Sequence, residues 1–289
     1  MIRPFGRPVR PFLEQVIRRA RRNLLVASPF ISAEQAHWLL GLVRQDGTGA
    51  TVRTLTSINE QSVASGALEI EALQELASAS ATSEVVNLPR LHAKVYVADA
   101  EVAIVTSANL TRGGLEGNYE YGVAIESHEI VFRIRKDMEA YARVGNRLSA
   151  LELEKLRGIG DELRAASARL VKAHDGPSGR KFQTVLRQMR PPILEAQVGS
   201  RSANSIFSEA IRFVLRDGPL PTKDMHPRIQ QLLPDLCDDR DELVINGQRF
   251  GKRWKHDVRN AQQSLKQAGV IAFRNNRWML VAQKAETGT

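Results

Sequence analysis

A chain of 289 residues with a single cysteine and a net charge of +9 has enough length to bury the core of one or two domains. The lone Cys237 excludes internal disulfides and any cysteine-based zinc site, which suits a reducing, cytoplasmic setting. No apolar run approaches membrane-spanning length, and the early Arg3, Arg7 and Arg10 are interleaved with prolines, so neither a membrane segment nor an exported leader is expected.

In chain order, the first 148 residues alternate helix and strand signals. Residues 11–22 predict a helix with a basic face, 24–30 (LLVASPF) a buried strand, 33–43 a helix and 51–56 a strand. Residues 67–78, rich in Ala, Leu and Glu, predict a helix, followed by a short strand near 84–88. Two β-type runs, 93–97 and 102–105, flank a tight turn at Asp99; a strand over 119–125 and a helix over 128–144 follow. Such alternation argues for an α/β class with a mostly mixed or parallel sheet covered by helices.

Between residues 148 and 183 the strand signals stop. Leu156, Ile159, Leu163, Ala166, Leu170 and Ala173 recur at spacings of three and four, the seam of a helix that lies lengthwise on another. That helix either caps its own domain or lies along a dimer dyad. Gly158 and Gly160 weaken it, and Asp175-Gly176-Pro177-Ser178-Gly179 ends it. Further on, 202–216, 222–233 and 251–268 predict three helices, the second limited by Pro227. Residues 270–274 and 277–281 flank Asn275-Asn276, a two-residue hairpin signal. The expected division is therefore a first domain over 1–148, a helical linker with a possible dimer contact over 149–200, and a second domain over 201–289.

Charge follows that division. Residues 1–150 carry 17 Lys+Arg against 16 Asp+Glu, whereas 151–289 carry 24 against 16. A basic second half raises the local concentration of polyanions.

The residues that carry chemistry lie between Leu91 and Tyr121. His92, Lys94, Asp99, Ser107 and Asn109 occur in the order H-x-K-x4-D-x6-T-S-x-N, with Glu120 following. A phosphodiester is anionic and resists attack, so its cleavage needs a nucleophile, an acid for the leaving oxygen, and positive charge around phosphorus. Histidine can serve as nucleophile or acid near neutrality. Lys94, two residues away, would share a strand face with His92. Asp99 can accept backbone N–H bonds in its turn, a supporting role. Ser107 and Asn109 can donate to phosphate oxygens. Read alone, His92 and Lys94 could be a polar face on an edge strand and Glu120 an ordinary charged strand residue. Arg112 could touch a flanking phosphate or simply be a surface arginine.

Taken together, this stretch resembles the signature of the phospholipase D superfamily. The resemblance implies an α/β/α sandwich with the motif strands at its centre and a histidine nucleophile. Since two-motif members build each active site from two copies, the single copy here implies a homodimer with a shared site. Thr106 stands where the family often has glycine. Asn118-Tyr119-Glu120 resembles the N-x-E element of the superfamily's nucleases, in which Glu120 would accept a hydrogen bond from the second nitrogen of His92. His37 and His128 have no partner pattern.

A second resemblance covers the C-terminal segment. The run from Trp254 to Leu280 is similar to the winged-helix modules attached to restriction endonucleases. It implies a third helix in the DNA major groove and a hairpin on backbone or minor groove. Candidate contacts are Lys252, Arg253, Lys255, Arg259, Gln262, Gln263 and Lys266, with Arg274, Asn275 and Arg277 on the wing. Trp254 and Trp278 read as core anchors, His256-Asp257 as a surface dipeptide, and the acidic run Asp238–Glu242 as a solvated loop. The expectation is a metal-independent, cofactor-free DNA endonuclease of restriction or defence type, acting on double-stranded DNA. A sequence-independent DNA or RNA nuclease, or a phospholipase, is the alternative.

Overall fold

The computed structural model describes residues 1–45, 49–172, 198–199, 201–245 and 247–281. The chain divides into two compact units, Met1–Gly199 and Ser200–Thr289. The seam residue Ala173 and the break at 175–179 lie outside the described residues.

The first unit runs β1 (Ile2–Gly6), α1 (Arg10–Ile17), β2 (Asn23–Ala27), α2 (Ala33–Gln45), β3 (Thr51–Thr56), α3 (Glu60–Ala64), α4 (Ile70–Ala77), β4 (Glu84–Asn87), β5 (Val95–Ala98), β6 (Val102–Thr106), β7 (Tyr121–Ile125), α5 (His128–Val144), β8 (Asn146–Arg147) and α6 (Ala150–Lys172). Its strands form one sheet in the order β1-β7-β6-β5-β2-β3-β4-β8. Strands β2, β3 and β4 are parallel, while β5, β6 and β7 form an antiparallel meander whose first strand pairs antiparallel with β2. The fold is thus mixed α/β around a large central sheet.

Alternation along the strands explains how the sheet is covered. Leu24, Val26, Tyr96, Ala98 and Ile104 join one continuous core with Leu13, Ile17, Leu39, Leu73 and Leu163 from the helices. Leu25, Val95 and Val97 point the other way and are also buried, and α5 buries Val131 and Met138. The helix over the expected linker begins at Ala150 and turns Leu153, Leu156 and Leu163 into the core of the first unit, against α3 and α4.

Strand β1 carries no sequence signal because Pro4 interrupts it and most of its residues are exposed. As an edge strand paired, among the described residues, only with β7, it can spare the missing proline N–H. Helix α3 is five residues long and holds together through a capping box between Asn59 and Ser62.

The second unit contains α7 (Ala203–Leu215), α8 (Thr222–Leu232), β9 (Glu242–Ile245), β10 (Gln248–Lys252), α9 (Arg253–Gln267), β11 (Ile271–Arg274) and β12 (Arg277–Leu280). The expected three helices and final hairpin are present, and Asn275 and Asn276 make its turn with φ of 49° and 61°. An additional hairpin, β9–β10, lies between the second and third helices. Ile206, Phe207, Ile211, Met225, Ile229, Trp254, Val258, Leu265 and Trp278 are buried. The Trp254 indole donates to Asp239 Oδ1 at 3.0 Å and the Trp278 indole to Thr222 Oγ1 at 3.0 Å, so each buried tryptophan N–H is satisfied. No helix among the described residues is long and apolar enough to cross a membrane.

Candidate active site

The antiparallel meander brings three strand ends together. The register Val95↔Val105 and Thr106↔Gly122 places the start of β5, the end of β6 and the start of β7 side by side. His92 and Lys94 lie just before β5, Ser107 and Asn109 just after β6, and Asn118 and Glu120 just before β7. Residues separated by up to 28 positions thereby converge on one edge of the sheet.

His92 is exposed and Lys94 is buried beside it. The Lys94 Nζ lies 3.3 Å from His92 Nε2 and 3.5 Å from Nδ1. Burial lowers the Lys94 pKa from its ordinary value, and the Glu120 charge pulls it part of the way back. Ser107 Oγ donates to Glu120 Oε2 and accepts the Tyr121 N–H at 3.1 Å. Asn118 Nδ2 donates to the other carboxylate oxygen, Oε1, at 3.2 Å.

One expected bond is not made. The family resemblance implies that Glu120 orients His92; here Ser107 and Asn118 donate to its two oxygens, and the imidazole nitrogens face Lys94. The reason is register: Ser107 stands across from Tyr121, next to Glu120, whereas His92 sits in the lead-in to β5, which is not itself strand.

Asn109 is fixed through its backbone. A Cβ on Gly114 would lie 2.4 Å from the Asn109 carbonyl oxygen, so only glycine allows the one-turn π-helical segment Gly113–Gly117 to pack there. The Asn109 Oδ1 is buried and has no hydrogen-bond partner among the described residues. Ser28, fully buried at the end of β2, donates to Phe30 O at 2.7 Å and accepts the Leu110 N–H at 3.0 Å. The Tyr96 hydroxyl donates to Ala108 O at 3.3 Å, and burial raises the pKa of this phenol far above its ordinary range. Ser28 and Tyr96 thus anchor the loop that carries Ser107 and Asn109. Neither belongs to the motif, and only the apolar run around Ser28 hinted at its burial.

Asp99 sits at the opposite end of β5. Its carboxylate accepts N–H bonds from Arg21 at 2.8 Å, Arg22 at 3.0 Å and Asn23 at 2.8 Å, and its φ is 51°. It braces the turn and touches none of the converging side chains. Arg112 is exposed, 3.9 Å from Glu116 Oε2. His37 is exposed and faces Glu75 at 3.6 Å.

In the second unit the candidate contacts divide. Arg259, Gln263 and Lys266 are exposed on α9, and Arg274, Asn275 and Arg277 are exposed on the final hairpin. Lys255 lies over the Trp254 ring, 5.4 Å from its centroid. Lys252 donates to Asp239 O at 2.6 Å and Arg253 to Asp241 at 3.0 Å, so the acidic run, expected as a solvated loop, holds these two cations. Gln262, expected among the contacts, is not on the exposed face. It is 3% exposed, with its amide 3.2 Å from Met225 Sδ, because it follows Val258 by one helical turn and falls on the buried stripe. His256 Nε2 pairs with Phe250 O at 2.8 Å. Among the described residues no group of three or more His, Cys, Asp or Glu side chains is arranged to hold a metal ion.

Residues 13–142 match the family model described as cardiolipin synthase, PLD-like domain. That span includes every side chain of the converging set and, with the mixed α/β sheet, supports a PLD-like domain in the first unit. Among solved structures, the chain is similar to the phospholipase D family member Nuc from Salmonella typhimurium, at 15% identity over 51% of this chain and 97% of that one, with a TM-score of 0.44. NucT from Helicobacter pylori gives 18% identity over 47% and 91%, with a TM-score of 0.38. Phosphatidylserine synthase from Haemophilus influenzae gives 14% identity over 59% and 45%, with a TM-score of 0.46. No curated protein matches the chain.

Proposed function

We propose that the protein is a cytoplasmic, metal-independent DNA endonuclease of restriction or defence type that acts as a homodimer on double-stranded DNA. The observation that carries this reading is the convergence of His92, Lys94, Ser107 and Glu120 on one sheet edge, in a chain that supplies only one such set. A nitrogen of one His92 attacks phosphorus and forms a phosphohistidine as the bond to the leaving oxygen breaks. The His92 of the second protomer gives its proton to that oxygen. It then takes a proton from water, which attacks phosphorus, releases the product and restores the first His92. Lys94, Ser107 and Asn109 from both protomers neutralise the developing charge.

The Ser107–Glu120 bond gives this mechanism an order. For Ser107 to donate to a phosphate oxygen, its hydroxyl must leave Glu120, and one carboxylate oxygen is then free for His92. Substrate binding and orientation of the nucleophile are coupled in this way. The helix order and hairpin of the second unit support a winged-helix reading, with Arg259, Gln263, Lys266, Arg274, Asn275 and Arg277 facing DNA.

The test is incubation of the purified protein with supercoiled plasmid in EDTA. Cleavage should survive the chelator, pass through a nicked intermediate and vanish in His92→Ala. Total loss of cleavage in EDTA, or an active His92→Ala, sinks the mechanism. Preference for phosphatidylcholine vesicles over plasmid would favour the lipid alternative, and smearing or RNA degradation would favour a sequence-independent nuclease.

A further inference from the structure

We propose that Tyr119, backed by Arg7, is a stacking platform for an unpaired nucleotide next to the scissile phosphate, so that the site engages one strand with a base drawn out of the duplex. This inference rests on the nuclease reading above and names the form of substrate that the site takes.

Tyr119 lies between Asn118 and Glu120, whose side chains are bonded to each other, and is 93% exposed. A tyrosine this open contributes nothing to the core. Its ring is nevertheless not alone: the Arg7 guanidinium sits 5.3 Å from the ring centroid. Arg7 is held there by its Nε, which donates to Glu116 O at 3.2 Å. The placement comes from the sheet edge, where β1 pairs with β7 in the register Gly6↔Tyr121 and delivers Arg7 alongside the residues that precede β7.

The result is a flat ring with a cation on one face and solvent on the other, one residue from the carboxylate that bonds Ser107. Bases stack on such rings whatever their identity, and arginine adds a cationic contribution. Arg112, its side chain 77% exposed and 3.9 Å from Glu116 Oε2, is a second cation near the same turn for a neighbouring phosphate. A base inside a duplex has both faces covered by its neighbours, so only an unpaired, terminal or extruded base can use the platform. The proposal also accounts for how one shared site deals with a duplex: it takes the strands one at a time.

The experiment measures binding of dye-labelled oligonucleotides to the full chain carrying His92→Asn, which blocks turnover. Four variants are compared, Tyr119→Leu, Tyr119→Phe, Arg7→Gln and Arg112→Gln, on single-stranded DNA, on the matching duplex and on single strands in which successive positions are made abasic. Tyr119→Leu should weaken single-strand binding by about 5- to 150-fold, the value of one base–aromatic stack, while Tyr119→Phe retains it. Arg112→Gln should flatten the salt dependence by about 0.7 of a unit of slope, one phosphate contact on a single strand, and Arg7→Gln should weaken single-strand binding less than Tyr119→Leu does, because the ring remains. One abasic position should erase the Tyr119→Leu penalty, because the stacked base is already gone. Unchanged affinity in Tyr119→Leu, or a penalty that persists at every abasic position, overturns the platform. Plasmid cleavage by the wild-type chain reads the other proposal: cutting without a Tyr119 effect leaves the nuclease and removes the platform, and Tyr119-dependent binding without cutting does the reverse.

Discussion

Thr106 stands across from Gly122 on the neighbouring strand, and the two share one volume: a Cβ on Gly122 would lie 2.8 Å from the Thr106 Cβ and 2.9 Å from its Oγ1. The threonine occupies a position where glycine is common in the family it resembles, and the space it needs is vacated on the next strand. Its hydroxyl is also used, donating to Tyr121 O at 3.0 Å and accepting the Ala108 N–H at 3.2 Å. Gly122→Ala should therefore destabilise the protein by about 1–3 kcal/mol through overpacking. Thr106→Gly in the same chain should recover part of that loss, because it removes both of those atoms, while Phe5 Cζ, 2.7 Å from the same Cβ, keeps the rest. Urea unfolding of the two single variants and the double variant checks this, and strict additivity would show that they do not compete.

Asp99 should matter for stability and not for chemistry. Its carboxylate satisfies the N–H groups of Arg21, Arg22 and Asn23, far from His92 along β5. Asp99→Asn keeps the side-chain shape and tolerates the positive φ, but one acceptor becomes an NH2 facing a donor; a loss of about 1–3 kcal/mol follows. Turnover per folded molecule should stay at the wild-type level. A large fall in that turnover, with stability intact, would place Asp99 in the reaction.

Lys94 gives activity a direction on the alkaline side. Burial lowers its pKa and Glu120 raises it in part. The charged form is needed at a phosphate, so activity should decline as pH rises through the Lys94 pKa. Glu120→Gln removes the charge that favours the protonated lysine, so the decline should begin at lower pH than in wild type. A pH–rate profile under single-turnover conditions measures this. An unmoved alkaline limb would assign the decline to another group.

On α9, adjacent side chains should behave differently. Arg259 is exposed and Gln262 is buried against Met225. Arg259→Ala should weaken DNA binding and reduce the salt slope by about one. Gln262→Met, apolar and similar in length, should leave affinity for DNA unchanged. Loss of DNA affinity in Gln262→Met, in a variant that remains folded, would return Gln262 to the contact surface.

Much of this was legible in the residues. The strand over 51–56 and the helix over 128–144 end where they were expected, and the converging side chains lie within a single short stretch, so local spacing reports them well. What escaped depends on partners distant in the chain. β1 is a proline-interrupted edge strand recognisable only from its pairing with β7, and β8 is two residues long, paired with β4. The grip of Ser107 on Glu120 is set by the β6–β7 register, which no spacing within the motif encodes. Gln262 is the exception, since counting one helical turn from Val258 would have placed it inside.

The meander that carries the site has a kinetic meaning as well. Strands β5, β6 and β7 meet through contacts within 31 residues of chain, whereas the parallel strands β2, β3 and β4 can pair only after helices have bridged them. Short closures lose less chain entropy and form sooner. In pulse-labelled hydrogen exchange during refolding, the amides of Val105 and Val123 should be protected ahead of those of Ser28 and Leu88, which donate to Leu55 O and Thr56 O across the parallel strands. The chemical end of the molecule would then be shaped early, with the rest of the sheet assembling on to it.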